Sequence, residues 1–488
     1  MADKMIGMYV HQHWAYNHPY AARTWSVDDW RGYLEGLKRL GFNTVLIWPV
    51  LETMPDPLTP SDRENLDKIA QVIEIAHTQF EMKALITISP NAAAKDEEAA
   101  KYTFQERPFF YTDRRVDVQD ATALGELIKW RAELFRPLKD MDGVLIIDSD
   151  PGGYPGSTNI DFAYLLNAHR KMFDTLRPGV ELYYWIHVGW ESYCRYYETG
   201  HFEMAERAEI EDAIRLLARQ NPEPWGLASG WGPDVADPLG MSDRVMSYRY
   251  GAIEGEPTFP MTNYGGMTAY ESGKTMGARG TMGNSQTHCL QLPNTFAFSR
   301  GAQGLPIEEA DYAAFADELI PGQGQTIVDG WKALISEDEA TMRAAAEGLT
   351  ALLEKPLEAG PLEGLLFGDP ERFVRDLIMQ LELRAALEAF HAAVFAEPGD
   401  AGATKATLGA FVEAADAWQR QHGYKNMWRW EKMEQALARL DSEVVNEALG
   451  RKDYKGEGRT PFEQVQEGYY LVETYTPHLI EAMRKAAE

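Results

Sequence analysis

The sequence predicts an α/β fold, a (β/α)8 TIM barrel followed by a mainly α-helical C-terminal domain. Short apolar runs alternate with amphipathic stretches through the first part of the chain. After about Pro306 the strand-like runs disappear, and Ala, Leu and Glu at helical spacing take over. A chain of 488 residues is also long enough for two domains. We therefore expect the barrel in residues 1–304 and the helical domain in residues 305–488.

The predicted strands are short segments rich in apolar, β-branched and aromatic residues. In chain order they are Ile6–Val10, Thr44–Trp48, Ala84–Ile88, Val144–Ile147, Leu182–Val188, Gly226–Ser229, Val245–Tyr250 and Gly280–Gly283. Eight strands with mostly helical connections are what a (β/α)8 barrel requires. A doubly wound open sheet is the competing fold, but no GxGxxG turn follows the first strand.

The helices predicted within the barrel carry their apolar residues on one face. They span Val27–Leu40, Arg63–His77, Leu124–Leu138, Ile160–Leu176 and Met204–Arg219. Ser26 and Thr59 stand just before acidic first turns, which is typical of N-terminal caps. The connection after the sixth strand is short and rich in Pro and Gly, so we expect an irregular segment there.

The C-terminal region is predicted to consist of long amphipathic helices. They cover Glu337–Leu353, Pro370–Phe395, Leu408–Gln421 and Trp428–Leu449. Residues typical of loops cluster at Glu397–Thr404 and Arg451–Thr460. We expect this domain to pack against the barrel or to form the interface of a homodimer.

The chain is acidic, with 47 Lys and Arg residues against 75 Asp and Glu residues and a formal net charge of -28. This charge repels nucleic-acid phosphates and anionic membrane surfaces, so we expect neither as a partner. The two cysteines, Cys194 and Cys289, offer no disulfide framework, and no apolar run is long enough for a membrane span. The start of the chain lacks a signal-peptide core. This predicts a cytoplasmic protein, or a periplasmic or secreted one whose natural leader has been removed.

Two aspartates follow the fourth predicted strand, at the end of the barrel where active sites lie. Asp148 and Asp150 are two residues apart, so on an extended segment both carboxylates point to one face. Two close carboxylates raise the pKa of one of them, which suits a general acid beside an ionised partner. The alternative is a structural turn, because Asp-Pro-Gly-Gly is also turn chemistry. Glu191, after the fifth strand, is a further candidate acid or base, or else an exposed residue at the start of the next loop.

A His-x-His pair, His11 and His13, ends the first strand and resembles the metal signature of the amidohydrolases. In that family further ligands follow later strands, and Asp148 and His187 stand at two such places. The sixth strand supplies no His, and the eighth supplies no obvious Asp. We therefore favour a site without a metal or other cofactor, in which the two histidines bind substrate hydroxyls or brace the loop. A metal-dependent hydrolase is the alternative.

Other polar and aromatic residues at the strand ends are candidates for substrate binding. They are Trp14, Arg23, Trp48, Glu52, His187, Tyr250, Asn284, Gln286 and His288. Aromatic rings form flat walls for sugars, although they also pack in cores. Neutral hydrogen-bonding groups suit a polyhydroxylated ligand. Three arginines near strand ends, Arg23, Arg195 and Arg249, offer partners for the carboxylate of an acidic sugar.

This combination resembles the glycoside hydrolases of the (β/α)8-barrel type over roughly residues 5–300. The two acids after the fourth strand are similar to those of the retaining N-acetylhexosaminidases, although Ser149 separates them here. The resemblance implies an exo-acting glycosidase for an N-acetylhexosaminide, a uronide or a sialoside. It also implies that Asp148 orients the acetamido nucleophile of the substrate while Asp150 protonates the leaving oxygen. A non-catalytic carbohydrate-binding barrel remains an alternative alongside the metal-dependent hydrolase.

Overall fold

The structure of the chain is a computed structural model. It describes residues 4–14, 16–108, 112–150, 152–220, 223, 225–230, 232–255, 261–265, 267–423, 430–450 and 475–488. Within this part of the chain the strands are β1 (Met5–His11), β2 (Thr44–Trp48), β3 (Lys83–Ile88), β4 (Ala92–Ala94), β5 (Asp113–Arg115), β6 (Gly143–Ile147), β7 (Glu181–Ile186), β8 (Trp225–Ser229), β9 (Val245–Tyr248) and β10 (Gly280–Asn284).

Eight of these strands form a closed parallel barrel. The order around it is β1, β2, β3, β6, β7, β8, β9, β10 and back to β1. All eight strands predicted from the sequence are confirmed as barrel strands. The predicted TIM-barrel fold is therefore confirmed as well. The short strands β4 and β5 form a separate antiparallel pair after β3 that was not predicted, because an Ala-Ala-Ala segment has little β propensity.

Helices connect most of the barrel strands. They span Val27–Arg39, Pro60–Phe80, Asp96–Ala99, Ala121–Phe135, Asn159–Leu176, Trp190–Thr199, Arg207–Gln220 and Met267–Lys274. The caps predicted at Ser26 and Thr59 are confirmed, since each side chain accepts a hydrogen bond from the backbone three residues on. The segment between β8 and β9 consists of short 3-10 turns, as its Pro and Gly content indicated.

The described elements after β10 are helical. They are Leu292–Ala302, Glu309–Leu319, Gly324–Leu334, Glu339–Leu352, Pro370–Phe395, Ala401–His422, Glu431–Leu440, Glu443–Gly450 and Tyr475–Ala487. The loop predicted at Glu397–Thr404 is shorter than expected, because Asp400 caps a helix that begins at Ala401. The predicted start at Trp428 and the predicted loop Arg451–Thr460 lie outside the described residues.

The helical region packs against the C-terminal end of the barrel. Trp14, Tyr16 and Tyr20, in the segment after β1, share a buried cluster with residues of the C-terminal helices such as Phe411. The Tyr20 hydroxyl also donates a hydrogen bond of 2.7 Å to the buried Asp376 carboxylate. One of the two predicted arrangements, packing against the barrel, is therefore present. Among the described helices, none combines the length and the hydropathy needed to cross a membrane.

The helices Met267–Lys274 and Leu292–Ala302 approach closely through one glycine on each. A Cβ on Gly301 would lie 2.0 Å from the Tyr270 carbonyl oxygen, and one on Gly273 would lie 2.1 Å from that of Phe298. Gly301→Ala is expected to lower the free energy of unfolding by about 2 kcal/mol or more, because backbone has to move. Urea unfolding measures the change.

Gly348→Ala is the matched control for Gly301→Ala. Gly348 lies in the helix Glu339–Leu352, and apart from its two chain neighbours and the backbone of its own helix no atom of the described residues lies within 4 Å of the added Cβ. Alanine there is expected to raise stability by about 0.5–1 kcal/mol, since it favours helix more than glycine does. Equal effects of the two substitutions would contradict the close approach.

Candidate active site

A cavity of about 860 Å³ opens at the C-terminal ends of the barrel strands. This is within the usual range for small-molecule sites, about 300–1,000 Å³. The polar and aromatic side chains that line it are Tyr9, His11, His13, Trp48, Asp150, Trp185, His187, Tyr193, Phe202, Tyr248, Arg249, Tyr250 and Gln286. The cavity lies where a (β/α)8 barrel places its reacting groups. It brings together seven of the residues predicted for catalysis or substrate binding, namely His11, His13, Trp48, Asp150, His187, Tyr250 and Gln286.

Three aromatic rings from different strands form the floor of the cavity. Tyr9 of β1, Trp185 of β7 and Tyr248 of β9 have ring centroids 4.4–5.8 Å apart and meet edge to face. The Tyr248 hydroxyl and the Trp185 indole N–H are buried, and neither has a hydrogen-bond partner among the described residues. A buried polar group without a partner costs about 1–3 kcal/mol. Both atoms have almost no accessible surface, so the cavity is bounded here by the aromatic rings and not by their polar groups.

Asp150 projects into this cavity from a turn after β6. Its backbone is left-handed, with φ of 52°, a conformation that Asp tolerates better than most residues. The Tyr193 hydroxyl donates a hydrogen bond of 2.9 Å to Asp150 Oδ1, and His187 Nε2 lies 3.8 Å from Oδ2. Among the described residues that line the cavity, Asp150 supplies the only carboxylate.

Asp148 points away from the cavity, so the prediction that the two aspartates share a face is wrong. The strand ends at Ile147, and the chain turns immediately instead of continuing extended. The buried Asp148 carboxylate accepts hydrogen bonds of 3.0–3.3 Å from the backbone N–H groups of residues 187–189. It accepts another of 3.1 Å from the Tyr184 hydroxyl. Burial raises the pKa of Asp148 to about 6. Its role in this structure is to hold the loop after β7, which carries His187.

Glu191 is also outside the cavity. It lies in the first turn of the helix Trp190–Thr199, a helix that the sequence analysis read as a loop. Its carboxylate accepts a hydrogen bond of 2.9 Å from the Asn159 N–H, at the start of another helix. Burial raises the pKa of Glu191. The carboxylate therefore satisfies a helix N-terminus, and the acid or base role predicted for it is corrected accordingly.

The first-strand histidines join a hydrogen-bonded network with Gln286 and Trp14. The Gln286 side-chain oxygen accepts hydrogen bonds from His11 Nε2 and Trp14 Nε1. His11 Nδ1 accepts one of 3.1 Å from the His13 backbone N–H, and the His13 ring stacks on Trp14 with centroids 4.8 Å apart. Burial lowers the pKa of His11 to about 4 and that of His13 well below its usual value. Both rings are therefore neutral at pH 7.

This network does not fit the amidohydrolase alternative. With Nδ1 accepting one hydrogen bond and Nε2 donating another, His11 offers no lone pair to a metal. Across the described residues, no group of three or more His, Cys, Asp or Glu side chains converges as a metal site would require. His11 and His13 instead present neutral imidazoles to the cavity.

The buried His11 is expected to make the protein less stable as the pH falls from about 6.5 to about 4. Its pKa is lowered on folding, so the unfolded chain takes up a proton in this range before the folded protein does. The stability that depends on the neutral ring is complete above pH 6.5 and is lost as the pH falls through 4.

A His11→Gln variant does not titrate at this position and isolates the effect. The wild type is expected to lose about 3 kcal/mol of unfolding free energy relative to this variant between pH 7 and pH 4. Urea titrations of both proteins at several pH values measure the difference. A difference that stays constant with pH would contradict a buried, neutral His11.

Trp48 lines the cavity, and Glu52 lies behind it. The Trp48 indole N–H is 3.2 Å from Glu52 Oε1, and the same carboxylate accepts a hydrogen bond from the Ser89 backbone. Burial raises the pKa of Glu52, although the positive charge of Arg131 opposes the shift. Glu52 does not contact the cavity, so the substrate-binding role predicted for it is replaced by that of positioning Trp48.

Four further predicted binding residues are buried outside the cavity lining. Trp14 packs in the cluster with the C-terminal helices, which corrects its predicted role as a wall for the substrate. The Arg23 guanidinium donates to backbone carbonyl groups, among them Gln12 at 2.8 Å and Arg107 at 3.0 Å. Asn284 Oδ1 accepts from the Gly251 N–H at 2.8 Å, and His288 Nδ1 lies 2.6 Å from the Tyr33 hydroxyl. These side chains hold the loops around the barrel mouth, which corrects their predicted contact with substrate.

Sequence reasoning missed several residues that shape the site. The buried Glu254 carboxylate accepts hydrogen bonds of 2.6 Å from the backbone N–H groups of Gln286 and Thr287, and so holds the loop after β10. No sequence signal marks that role. Phe202 and Met204 are half exposed at the rim. Large apolar residues in an otherwise polar segment were the available signal for them.

Several solved structures to which the fold of this chain is similar are glycoside hydrolases. One is a GH138 enzyme targeting pectin rhamnogalacturonan II, with 8% sequence identity and a TM-score of 0.48. The match covers 88% of this chain and 64% of the GH138 enzyme, so this chain spans less than two thirds of that enzyme's length. Another is an O-GlcNAc hydrolase mutant of Thermobaculum terrenum, with 9% identity, a TM-score of 0.44 and coverage of 97% and 94%. A third is from the pneumococcal virulence factor StrH, with 10% identity, a TM-score of 0.40 and coverage of 78% and 98%.

No protein-family model matches the sequence, and no curated protein matches it either. A shared barrel does not determine which side chains react, because one fold hosts many activities. The chemistry has to be derived from the cavity itself.

Proposed function

We propose that this protein is an exo-acting glycoside hydrolase in which Asp150 is the general acid. The observation that carries the proposal is the position of Asp150. It is the carboxylate that the described residues bring into an aromatic cavity at the catalytic end of the barrel. The Tyr193 hydroxyl, 2.9 Å away, fixes the direction of its side chain.

The proposed chemistry is protonation of the glycosidic oxygen. As the bond between this oxygen and the anomeric carbon breaks, Asp150 transfers its proton to the leaving group. Water adds its hydroxyl to the anomeric carbon, and its proton restores the acid form of Asp150. His187, with Nε2 at 3.8 Å, is placed to exchange a proton or hydrogen bond with the same carboxylate.

The cavity walls suit a terminal sugar ring. The floor formed by Tyr9, Trp185 and Tyr248 closes the deep end of the cavity, which favours the end of a glycan over the middle of a chain. Trp48 and Tyr250 add aromatic faces at the sides.

A panel of aryl glycosides tests the proposal. It contains N-acetylhexosaminides, glucuronides and sialosides, each offered to the wild type and to Asp150→Asn with and without a chelator. We expect turnover of one class that is lost in the variant and is indifferent to the chelator. Full activity of Asp150→Asn would remove Asp150 from the mechanism, and silence of the wild type across the panel would count against a glycosidase.

A non-catalytic carbohydrate-binding barrel is the second candidate. Glycosidases usually place two carboxylates at the scissile bond, whereas the described lining of this cavity has Asp150 alone. A binding protein would retain sugars without turning them over, and Asp150→Asn would change affinity only. Calorimetry with the free sugars of the panel distinguishes the two candidates.

A further inference from the structure

The three arginines near the strand ends have very different surroundings in the structure. Arg23 is buried, and its guanidinium is committed to backbone carbonyl groups. Arg195 forms an ion pair with Glu209, with Nη2 3.1 Å from Oε2. Arg249 is exposed to the cavity and has no acidic partner among the described residues. Of the three, Arg249 alone presents a cation to a ligand.

The positive charge of Arg249, unpaired among the described residues, is unusual in this acidic chain. The formal net charge is -28, and most arginines of the barrel have a carboxylate within 4 Å, as Arg244 has Glu223 and Arg279 has Glu181. Among the Asp, Glu, Lys and Arg side chains of the described cavity lining, Arg249 is the one base and Asp150 the one acid, and burial keeps His11 and His13 neutral. The cavity therefore has one acid and one fixed positive charge.

Arg249 is held next to the groups that would bind a sugar. It directly follows Tyr248 of the floor and precedes Tyr250 of the rim, and its carbonyl oxygen accepts a hydrogen bond of 3.1 Å from the Ala252 N–H. The Tyr250 ring lies 5.2 Å from that of His187, which in turn lies beside Asp150. A ligand over the floor can thus contact Asp150 on one side and the Arg249 segment on the other.

We propose that Arg249 binds the carboxylate of an acidic terminal sugar, so that the substrates are uronides or sialosides. This deepens the proposed glycosidase function and rests on it. A guanidinium forms two parallel hydrogen bonds to a carboxylate, and no neutral sugar offers an equivalent group. The acidic surface slows the approach of anions, so a local cation is what such a substrate requires.

Paired substrates that differ only in the carboxylate test this proposal. Aryl glucuronide is compared with aryl glucoside, and aryl galacturonide with aryl galactoside. An aryl sialoside is added to test whether the acidic sugar is a sialic acid and not a uronic acid. The wild type is expected to favour an acidic member by about 30- to 100-fold in kcat/KM over its neutral counterpart. Arg249→Gln is expected to remove this preference by slowing the acidic substrate alone, and Arg249→Lys to restore part of it.

Arg195→Gln is the matched control, because it removes an arginine from the neighbouring helix and outside the cavity lining. It should leave the preference unchanged. Asp150-dependent turnover of neutral glycosides as fast as acidic ones would overturn the role of Arg249 and leave the glycosidase proposal standing. If no glycoside is turned over, calorimetry with free glucuronate, galacturonate and sialic acid tests the role of Arg249 in binding. If Arg249→Gln bound these acids as tightly as the wild type does, the role of Arg249 would be overturned.

Discussion

Asp150→Ala is expected to lower kcat/KM by about 10²- to 10⁴-fold on a glycoside with a poor leaving group, the range that general acid catalysis contributes. The alkoxide of a sugar or a simple alcohol is a strong base, so it leaves slowly without a proton. Asp150 is the carboxylate of the described cavity lining that can provide this proton. Steady-state kinetics with methyl or disaccharide substrates measure the loss.

The dependence on the leaving group separates proton transfer from mere positioning. A dinitrophenyl glycoside has a leaving group that departs without protonation, so the loss in Asp150→Ala is expected to be much smaller with it. If both kinds of substrate lost activity equally, Asp150 would have another role. A steep dependence on the pKa of the leaving alcohol in the variant, against a shallow one in the wild type, is the specific signature of a missing acid.

Glu191→Gln is the matched control for Asp150. This variant removes a carboxylate that is also a candidate acid or base by its position in the sequence. The amide oxygen of the glutamine can still accept the hydrogen bond from the Asn159 backbone N–H. We expect kcat/KM within about threefold of the wild type, since Glu191 does not line the cavity. A large loss in this variant would contradict the placement of Glu191 outside the active site.

Asp148→Ala is expected to lower the free energy of unfolding by about 4 kcal/mol or more. The substitution leaves three backbone N–H groups, of residues 187–189, and the Tyr184 hydroxyl without their buried acceptor. Each unsatisfied buried donor costs about 1–3 kcal/mol. Urea unfolding at pH 7 measures the change, and activity should fall as well because the loop that positions His187 is released.

Asp148→Asn and Asp150→Ala are the two variants with which the stability of Asp148→Ala is compared. Asparagine keeps one oxygen acceptor, so its cost is expected to lie between those of the wild type and Asp148→Ala. Asp150 is partly exposed, so its removal should change stability by less than about 1 kcal/mol while it abolishes most of the activity. If Asp148→Ala instead lost activity with full stability, Asp148 would act at the substrate and the assignment of roles would be reversed.

The barrel could be predicted because its signals are local. Each strand carries a run of apolar and β-branched residues, and the caps at Ser26 and Thr59 depend on residues only three positions away. The helix Trp190–Thr199 was missed because its stability comes from distant partners. Trp190 is buried against Phe162, with ring centroids 5.0 Å apart, and such a contact leaves no pattern in the local sequence.

The fold class, the ends of the strands and the polar residues close to them could be predicted from the amino-acid sequence, because hydrophobic period, helix capping and composition act over a few residues. Which of these polar residues face the cavity depends on contacts between distant parts of the chain. A positive φ at Asp150 and the backbone donors around Asp148 send two neighbouring carboxylates in opposite directions. In the same way, Arg195 is neutralised by Glu209 while Arg249 is left to the cavity. The direction of a side chain at a strand end depends on the conformation of the turn that follows and on partners far along the chain. The spacing of residue types in the sequence predicts neither of these.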